Sequence, residues 1–215
     1  MRCARLGSAV VLCALLSACD VASGGTGSED NLLKPTAPAG ATARAGGLGS
    51  AALVSRDTNG FTVSTPDQGR KVKVTQDACA PLAYALSGTA VGKPATTVVR
   101  KATGEGAEVT VVLAEYPSDQ AQQAMDAIAT AVDECAAGFR ATVDGDEHKV
   151  GKVAPELAPE GVDQAMGVGA TVTRSGKATP TKAVILRSGN AIAYLSGDPS
   201  IPATVLDAQL VKLRG

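Results

Sequence analysis

Aromatic side chains and an excess of one charge are both missing from this sequence. Its 215 residues include no tryptophan, two phenylalanines and three tyrosines, and 20 basic side chains stand against 21 acidic ones, for a net charge of −1. Proteins that bind nucleic acid through a basic groove also need aromatic side chains on which the bases stack. The composition therefore excludes a nucleic-acid partner of this kind, and the core must be built from aliphatic residues.

Metal ligands and catalytic bases are equally scarce. His148 is the only histidine, and no serine lies in a G-x-S-x-G motif. The histidine lies in the charged stretch DGDEHKV, which predicts a solvated side chain. We expect no metal, no cofactor and no catalytic residue, so the protein is predicted not to be an enzyme. The alternative from this class is an envelope hydrolase that uses His148 as its base.

Apolar runs are too short for a membrane-spanning helix, which needs about 20 residues. The run from Leu6 to Leu16 follows two arginines and leads into the sequence LSAC at 16–19. A basic start and a short apolar stretch are typical of a secretory signal. Leucine, two small residues and cysteine resemble the lipobox of bacterial lipoproteins. We predict a signal peptide over 1–18 and a lipid on Cys19 that anchors the chain to the extracytoplasmic face of the cell membrane. An ordinary signal peptide, cut elsewhere, is the alternative.

The composition changes again after the predicted anchor. Residues 19–50 are rich in glycine, alanine, serine, threonine and proline, which predicts a flexible tether. Residues 51–215 are then expected to form a single domain. Once the signal is removed and the anchor cysteine is modified, Cys79 and Cys135 are the remaining thiols. In an oxidising compartment they predict one disulfide, with two separate buried thiols as the alternative.

Hydrophobic periodicity predicts short strands and amphipathic helices within this domain. Strands are expected over residues 60–65, 70–75, 96–102, 107–116, 139–145, 148–153, 165–174, 182–188 and 191–197. Helices are expected over residues 78–87 and 118–138 and after Pro202. The first two strands flank the turn sequence PDQG and are predicted to form a hairpin. The fold class is α+β, with a mostly antiparallel sheet, two or three helices packed on it and one inter-helix disulfide.

The order of three segments carries a family resemblance. They are VVLAEYPS, the cysteine-terminated helix DQAQQAMDAIATAVDEC, and VILRSGNAIAYLSG before a C-terminal helix. Over residues 75–213 this order resembles the extracellular sensor domain of mycobacterial serine/threonine kinases of the PknH type and the actinobacterial lipoproteins that share it. The resemblance implies a sheet with a ligand-binding cleft and no known enzymatic chemistry.

Candidate ligand contacts come from the amphipathic and basic side chains of the predicted strands and helices. Arg100, Lys101, Arg174, Lys182 and Arg187 alternate with apolar residues, which predicts either a basic face for an anionic ligand or ordinary solvated β-surface. The candidate binding residues are Tyr84, Tyr116, Tyr194, Arg100 and Arg187. We expect a membrane-anchored protein that binds a small ligand or an envelope protein. A structural or assembly accessory of the envelope is the alternative.

Overall fold

A computed structural model describes residues 47–67 and 69–215. The predicted signal peptide, Cys19 and the tether up to residue 46 lie outside the described residues. Within the described part, nine strands form one sheet. They are β1 (Thr62–Ser64), β2 (Val72–Val74), β3 (Thr96–Gly104), β4 (Ala107–Glu115), β5 (Phe139–Val143), β6 (Asp146–Glu156), β7 (Gln164–Arg174), β8 (Lys177–Ser188) and β9 (Ala191–Asp198).

All neighbouring strands in the sheet are antiparallel, in the order β1-β3-β4-β9-β8-β7-β6-β5-β2. Strands β5 to β9 follow one another as a meander. The β5–β6 turn is formed by Asp144 and Gly145, both with positive φ, which is the signature of the type I′ turn that suits a twisted hairpin. A one-residue slip would turn every apolar side chain of these strands to the wrong face, so such turns help to fix the register.

The sheet must be strongly curved because of the short connection between its two edges. Strand β1 ends at Ser64 on one edge, and β2 begins at Val72 on the other. The chain from Ser64 to Val72 has eight Cα-to-Cα steps and spans at most about 28 Å when fully extended. In a flat sheet of nine strands, the two outer strands would lie roughly 38 Å apart. Residues 65–71, here called the crossing segment, therefore join two edges that curvature has brought closer together.

Four helices complete the described fold: α1 (Gly47–Ser50), α2 (Ala80–Leu86), α3 (Gln120–Glu134) and α4 (Ala203–Arg214). A 3-10 turn precedes α2 at Asp77–Cys79, and another lies at Ser55–Asp57. Helix α3 buries a stripe of apolar side chains at helical spacing, and α2 and α3 pack together on one face of the sheet. Helices α1 and α4 cover the other face, where a second apolar cluster forms. No helix in the described ranges is both long and apolar enough to cross a membrane.

The Cys79–Cys135 disulfide is confirmed. Cys79 ends the 3-10 turn directly before α2, and Cys135 follows the last residue of α3. Their Cα atoms are 5.8 Å apart, and both residues are buried. The bridge thus joins the start of one helix to the end of the other on the same face of the sheet.

The predicted α+β class with an antiparallel sheet is confirmed, with one short helix more than expected. That helix, α1, comes from residues 47–50, which composition placed in the tether, and its Leu48 is buried. The predicted hairpin of the first two strands is wrong. Strand β1 pairs with β3 and β2 pairs with β5, because the PDQG sequence lies in the crossing segment and not in a hairpin turn.

Candidate functional site

A cavity of about 350 Å³ lies on the α2 face of the sheet, between β3, β4, the end of α2 and the crossing segment. Its floor is apolar. Val99 of β3 and Val112 of β4 are direct partners in the antiparallel register, and both line the cavity. Ala90 and Pro94, from the connection between α2 and β3, add apolar surface at the side.

The wall nearest α2 is made by the turn that ends this helix. The N–H of Thr89 donates to the carbonyl of Tyr84 (2.8 Å), and the N–H of Gly88 donates to the carbonyl of Ala85 (3.1 Å). This pair of bonds, with Gly88 at φ +62°, is a Schellman motif, in which glycine is favoured. A Cβ atom on Gly88 would lie 2.8 Å from the Thr110 methyl carbon, so only glycine lets the turn approach the sheet this closely.

A buried hydrogen bond holds the same helix end against the sheet. The hydroxyl of Ser196 in β9 donates to the carbonyl of Leu86, the last residue of α2, over 2.6 Å. Ser196 is the register partner of Thr110, whose side chain lines the cavity. The helix end, β4 and β9 therefore form one packed unit that positions the wall of the cavity.

The rim of the cavity carries positive charge. Arg70 of the crossing segment and Lys101 of β3 both line it. The carboxylate of Glu108 lies 2.7 Å from the Lys101 ammonium and 3.9 Å from the Arg70 guanidinium. Glu108 thus pairs directly with Lys101 and lies near Arg70, while Asp144 is a second carboxylate in the lining of this cavity.

A second cavity of about 460 Å³ adjoins the first. The two cavities share Gly69 and Asp144, and the second is also lined by Lys71 and Lys73. The carboxylate of Asp144 accepts a hydrogen bond from the backbone N–H of Lys71 (2.8 Å), which ties the crossing segment to the β5–β6 turn. The surface around the two cavities therefore carries more basic side chains (Arg70, Lys71, Lys73 and Lys101) than acidic ones (Glu108 and Asp144).

The side chain of Thr89, a residue that lines the cavity, has a buried hydroxyl oxygen. Among the residues that the structure describes, this oxygen has no hydrogen-bond partner. A buried hydroxyl without a partner costs about 1–3 kcal/mol, and such groups are rare in native structures.

The structure corrects the prediction of a solvated His148. The side chain is buried on the α2 face and lines a very small cavity with Ser87 and Arg174. Burial lowers the pKa of the imidazole, and the charges of Arg174 and Arg70 lower it further. Within the described residues no hydrogen bond joins the imidazole to a hydroxyl or a carboxylate. A general base of a serine hydrolase makes both of these bonds.

Two of the three candidate tyrosines lie in the core and not at the cavity. The hydroxyl groups of Tyr116 and Tyr194 are 2.6 Å apart, and that of Tyr116 donates to the carbonyl of Val91 (2.7 Å). Burial raises the pKa of both phenols, so both stay neutral. Tyr84 lies on α2 and packs partly against the same core. The structure brings two tyrosines together, but as a buried hydrogen-bonded pair.

The basic residues of the strands do not share a face. Side chains alternate along a strand, so Lys101, Arg174 and Arg187 belong to the α2 face, whereas Arg100 and Lys182 belong to the opposite one.

Most of these cations are also neutralised locally. The ion pairs are Lys101–Glu108, Arg174–Asp198, Lys182–Glu156 and Arg187–Asp163. Arg187 also donates to the Gln164 side chain (2.7 Å), and the Arg100 guanidinium donates to its neighbouring carbonyl at Val99 (2.8 Å). Neither candidate arginine lines the cavity.

Sequence reasoning missed most of the residues that line the cavity. The stretch GTAVGKPATT at 88–97 supplies five of them, but its small residues have no periodicity and no chemical motif. The available signal was local: Gly88 directly after an apolar helix predicts a Schellman turn.

Within the described residues, no group of three or more histidine, cysteine, aspartate or glutamate side chains is placed to hold a metal ion.

Comparison with known proteins gives matches of structure but none of sequence. No family model matches the chain, and no curated protein does. The extracellular domain of PknH from Mycobacterium tuberculosis is similar, with a TM-score of 0.45 and 13% identity over 72% of this chain and 80% of that chain. The Rv0999 ortholog from Mycobacterium smegmatis is similar with a TM-score of 0.39 and 16% identity, over 73% and 90%. The first of these structures is the kind of domain that the sequence resembles.

Proposed function

We propose that this protein is a lipid-anchored, extracytoplasmic ligand-binding protein without enzymatic activity, and that its ligand occupies the cavity between α2, β3, β4 and the crossing segment. The observation that carries the proposal is the cavity itself, which combines an apolar floor with the cations Arg70 and Lys101 at its rim. A volume of about 350 Å³ falls in the range of small-molecule sites, and few polar groups in an apolar lining are typical of them.

The proposed anchor places this cavity outside the cell. The lipobox-like sequence ends at Cys19, and the described domain begins with α1 at Gly47. A flexible chain of the intervening length has a root-mean-square reach of roughly 30 Å. Such a tether would hold the domain clear of the lipid headgroups and leave the cavity open to ligands of the envelope.

Native mass spectrometry with a blocked variant tests the binding proposal. Thr97 is exposed on β3 and lines the cavity, so Thr97→Trp fills the cavity with little disturbance of the core. Purified protein is incubated with small-molecule and lipid extracts of the envelope. A species that is retained by the unaltered protein is expected to be lost from Thr97→Trp.

Ala178→Trp is the matched control because Ala178 is exposed on β8 and does not line the cavity. It should retain the same species. Equal binding to both tryptophan variants would place the ligand elsewhere, and the absence of any retained species would contradict the binding proposal.

The anchor has its own test. Mass spectrometry of the mature N-terminus should find diacylglycerol on Cys19 as the first residue, and Cys19→Ser should release the protein from the membrane fraction. An unlipidated terminus that begins at another residue would contradict the anchor and leave the cavity proposal standing.

A further inference from the structure

The cationic rim suggests the chemical class of the ligand. We propose that the cavity binds a small amphiphilic anion, with its acid group between Arg70 and Lys101 and its apolar part on Val99 and Val112. The inference rests on the proposed binding function and adds the charge and shape of the ligand to it.

The charges around the cavity favour an acid group. Arg70 and Lys101 line the cavity itself, and Lys71 and Lys73 line the adjoining one. Against these four cations stand Glu108, which is shared between two of them, and Asp144. Asp144 is already bound to a backbone N–H.

Glu108 is the acidic partner of Lys101 in the structure. Its side chain is 43% exposed, and its carboxylate lies 2.7 Å from the Lys101 ammonium but 3.9 Å from the Arg70 guanidinium, which is longer than a direct hydrogen bond. The guanidinium therefore keeps donors for a second acid group. A ligand carboxylate or phosphate that approached Arg70 would compete with Glu108 for Lys101, which makes Glu108 an internal competitor of the ligand.

The apolar floor favours a ligand whose remaining part, apart from the acid group, is apolar. Val99 and Val112 are adjacent across the β3–β4 pair and continue into the apolar surface of Ala90 and Pro94. Burial of methylene groups on this surface adds about 0.8 kcal/mol for each group. A free inorganic anion would gain none of this, so a short chain attached to an acid group fits better than the acid group alone.

Calorimetric titration of purified protein with five probes tests the class. The probes are octanoate, octyl phosphate, octylammonium, 1-octanol and inorganic phosphate, all below the concentrations at which micelles form. Octanoate or octyl phosphate should bind most tightly, and the comparison of these two identifies the preferred acid group. Inorganic phosphate should bind weakly and octylammonium not at all.

Two charge variants separate binding from a structural role. Lys101→Gln and Glu108→Gln both remove the same ion pair, so a purely structural pair would make them behave alike. If the acid group binds the cations, Lys101→Gln should lower the affinity for the anionic probe about tenfold, and Glu108→Gln should raise it. Lys149→Gln, at an exposed position on β6 outside both cavities, is the control and should leave the affinity unchanged.

Equal affinity for 1-octanol and octanoate would overturn the anion proposal, and so would equal responses of the two charge variants. In either case the binding function stands if Thr97→Trp abolishes binding of the probe. If none of the five probes binds, the anion proposal is wrong, and the extract experiment alone decides whether the cavity binds another class of ligand.

Discussion

At the scale of single residues, two buried threonine hydroxyls differ in whether they have a partner. The Thr181 hydroxyl is bonded to the carboxylate of Asp198, which also pairs with Arg174, whereas the Thr89 hydroxyl has none. Removal of one member of a buried hydrogen bond costs about 1–3 kcal/mol, whereas loss of an unpaired hydroxyl is neutral or stabilising. Urea unfolding should therefore show Thr181→Val less stable than the unaltered protein and Thr89→Val at least as stable. A loss of stability in Thr89→Val would show that its hydroxyl has a partner in solution.

His148 makes stability depend on pH in a window that no other side chain of the chain normally occupies. Burial lowers its pKa below the ordinary value of 6.5, the charges of Arg174 and Arg70 lower it further, and Asp146 and Asp198 act in the opposite direction. As pH falls through about 6.5, the unfolded chain binds a proton that the folded chain does not. The contribution of His148 to stability is therefore complete above about pH 6.5 and decreases as the pH falls below this value.

The measurement is urea unfolding at about pH 7.5 and about pH 5.5. The unaltered protein should be less stable at the lower pH, and His148→Gln should show a much smaller difference between the two. Because His148 is the only histidine, an equal pH dependence in both proteins would contradict the prediction.

Which residues line the cavity could be predicted only in part. Lys101 was recognised as a basic residue on a strand, but its proximity to Arg70 depends on the path of the crossing segment, which no local pattern encodes. The amphipathic character of a tyrosine is compatible with a place in a cleft, but a phenol in the core fits the same pattern when its hydroxyl has a hydrogen-bond partner. Tyr116, which directly follows β4, and Tyr194 of β9 form such a hydrogen-bonded pair.

At the scale of elements, the sequence predicts the existence and order of α3 and of the strands from β3 to β9, but it predicts only about half the length of β6 and β8. It failed for β1 and β2. These strands have three residues each, and their alternation is compatible with any antiparallel neighbour. The partners they adopt, β3 and β5, are set by the curvature of the whole sheet, which a local turn sequence does not reveal.

The end of α2 gives a prediction about the turn that forms the cavity wall. Gly88 and Gly92 both have positive φ, but a Cβ atom would meet Thr110 at Gly88 and nothing within 4 Å at Gly92. Alanine at Gly92 should cost about 1–2 kcal/mol for the backbone alone. Alanine at Gly88 should cost a further 1–3 kcal/mol, roughly, for the clash. Urea unfolding of the two variants measures the difference, and equal losses would show that the turn can move away from the sheet.

The Cys79–Cys135 disulfide, which links the start of α2 to the end of α3, is expected to stabilise the fold. It closes a loop with a sequence separation of 56 residues, for which chain entropy predicts about 4 kcal/mol of stabilisation. The double variant Cys79→Ala/Cys135→Ala should lose most of this in urea unfolding. The unaltered protein in reducing agent should show a similar loss. If stability does not change, strain or residual structure in the unfolded chain offsets the entropy.

At the scale of the whole molecule, the first and last described segments are packed together. Leu48 and Leu53 are buried in the second apolar cluster with the inner face of α4. The Gln209 amide donates to the carbonyl of Ala51 (3.0 Å), and Lys212 pairs with Asp57 (3.1 Å). Composition alone placed residues 47–50 in a tether, because it registers the abundance of small residues and not the leucines that α4 buries.

The packing of the first segment against α4 leads to a paired prediction about neighbouring residues. Leu53 is fully buried, whereas the side chain before the 3-10 turn, Val54, is 38% exposed. Leu53→Ala should cost about 2–5 kcal/mol, as for other buried leucines, and Val54→Ala less than about 1 kcal/mol. Urea unfolding at constant pH measures both. A small loss for Leu53→Ala would mean that residues 47–57 detach from α4 in solution, and the proposed tether would then be longer by that segment.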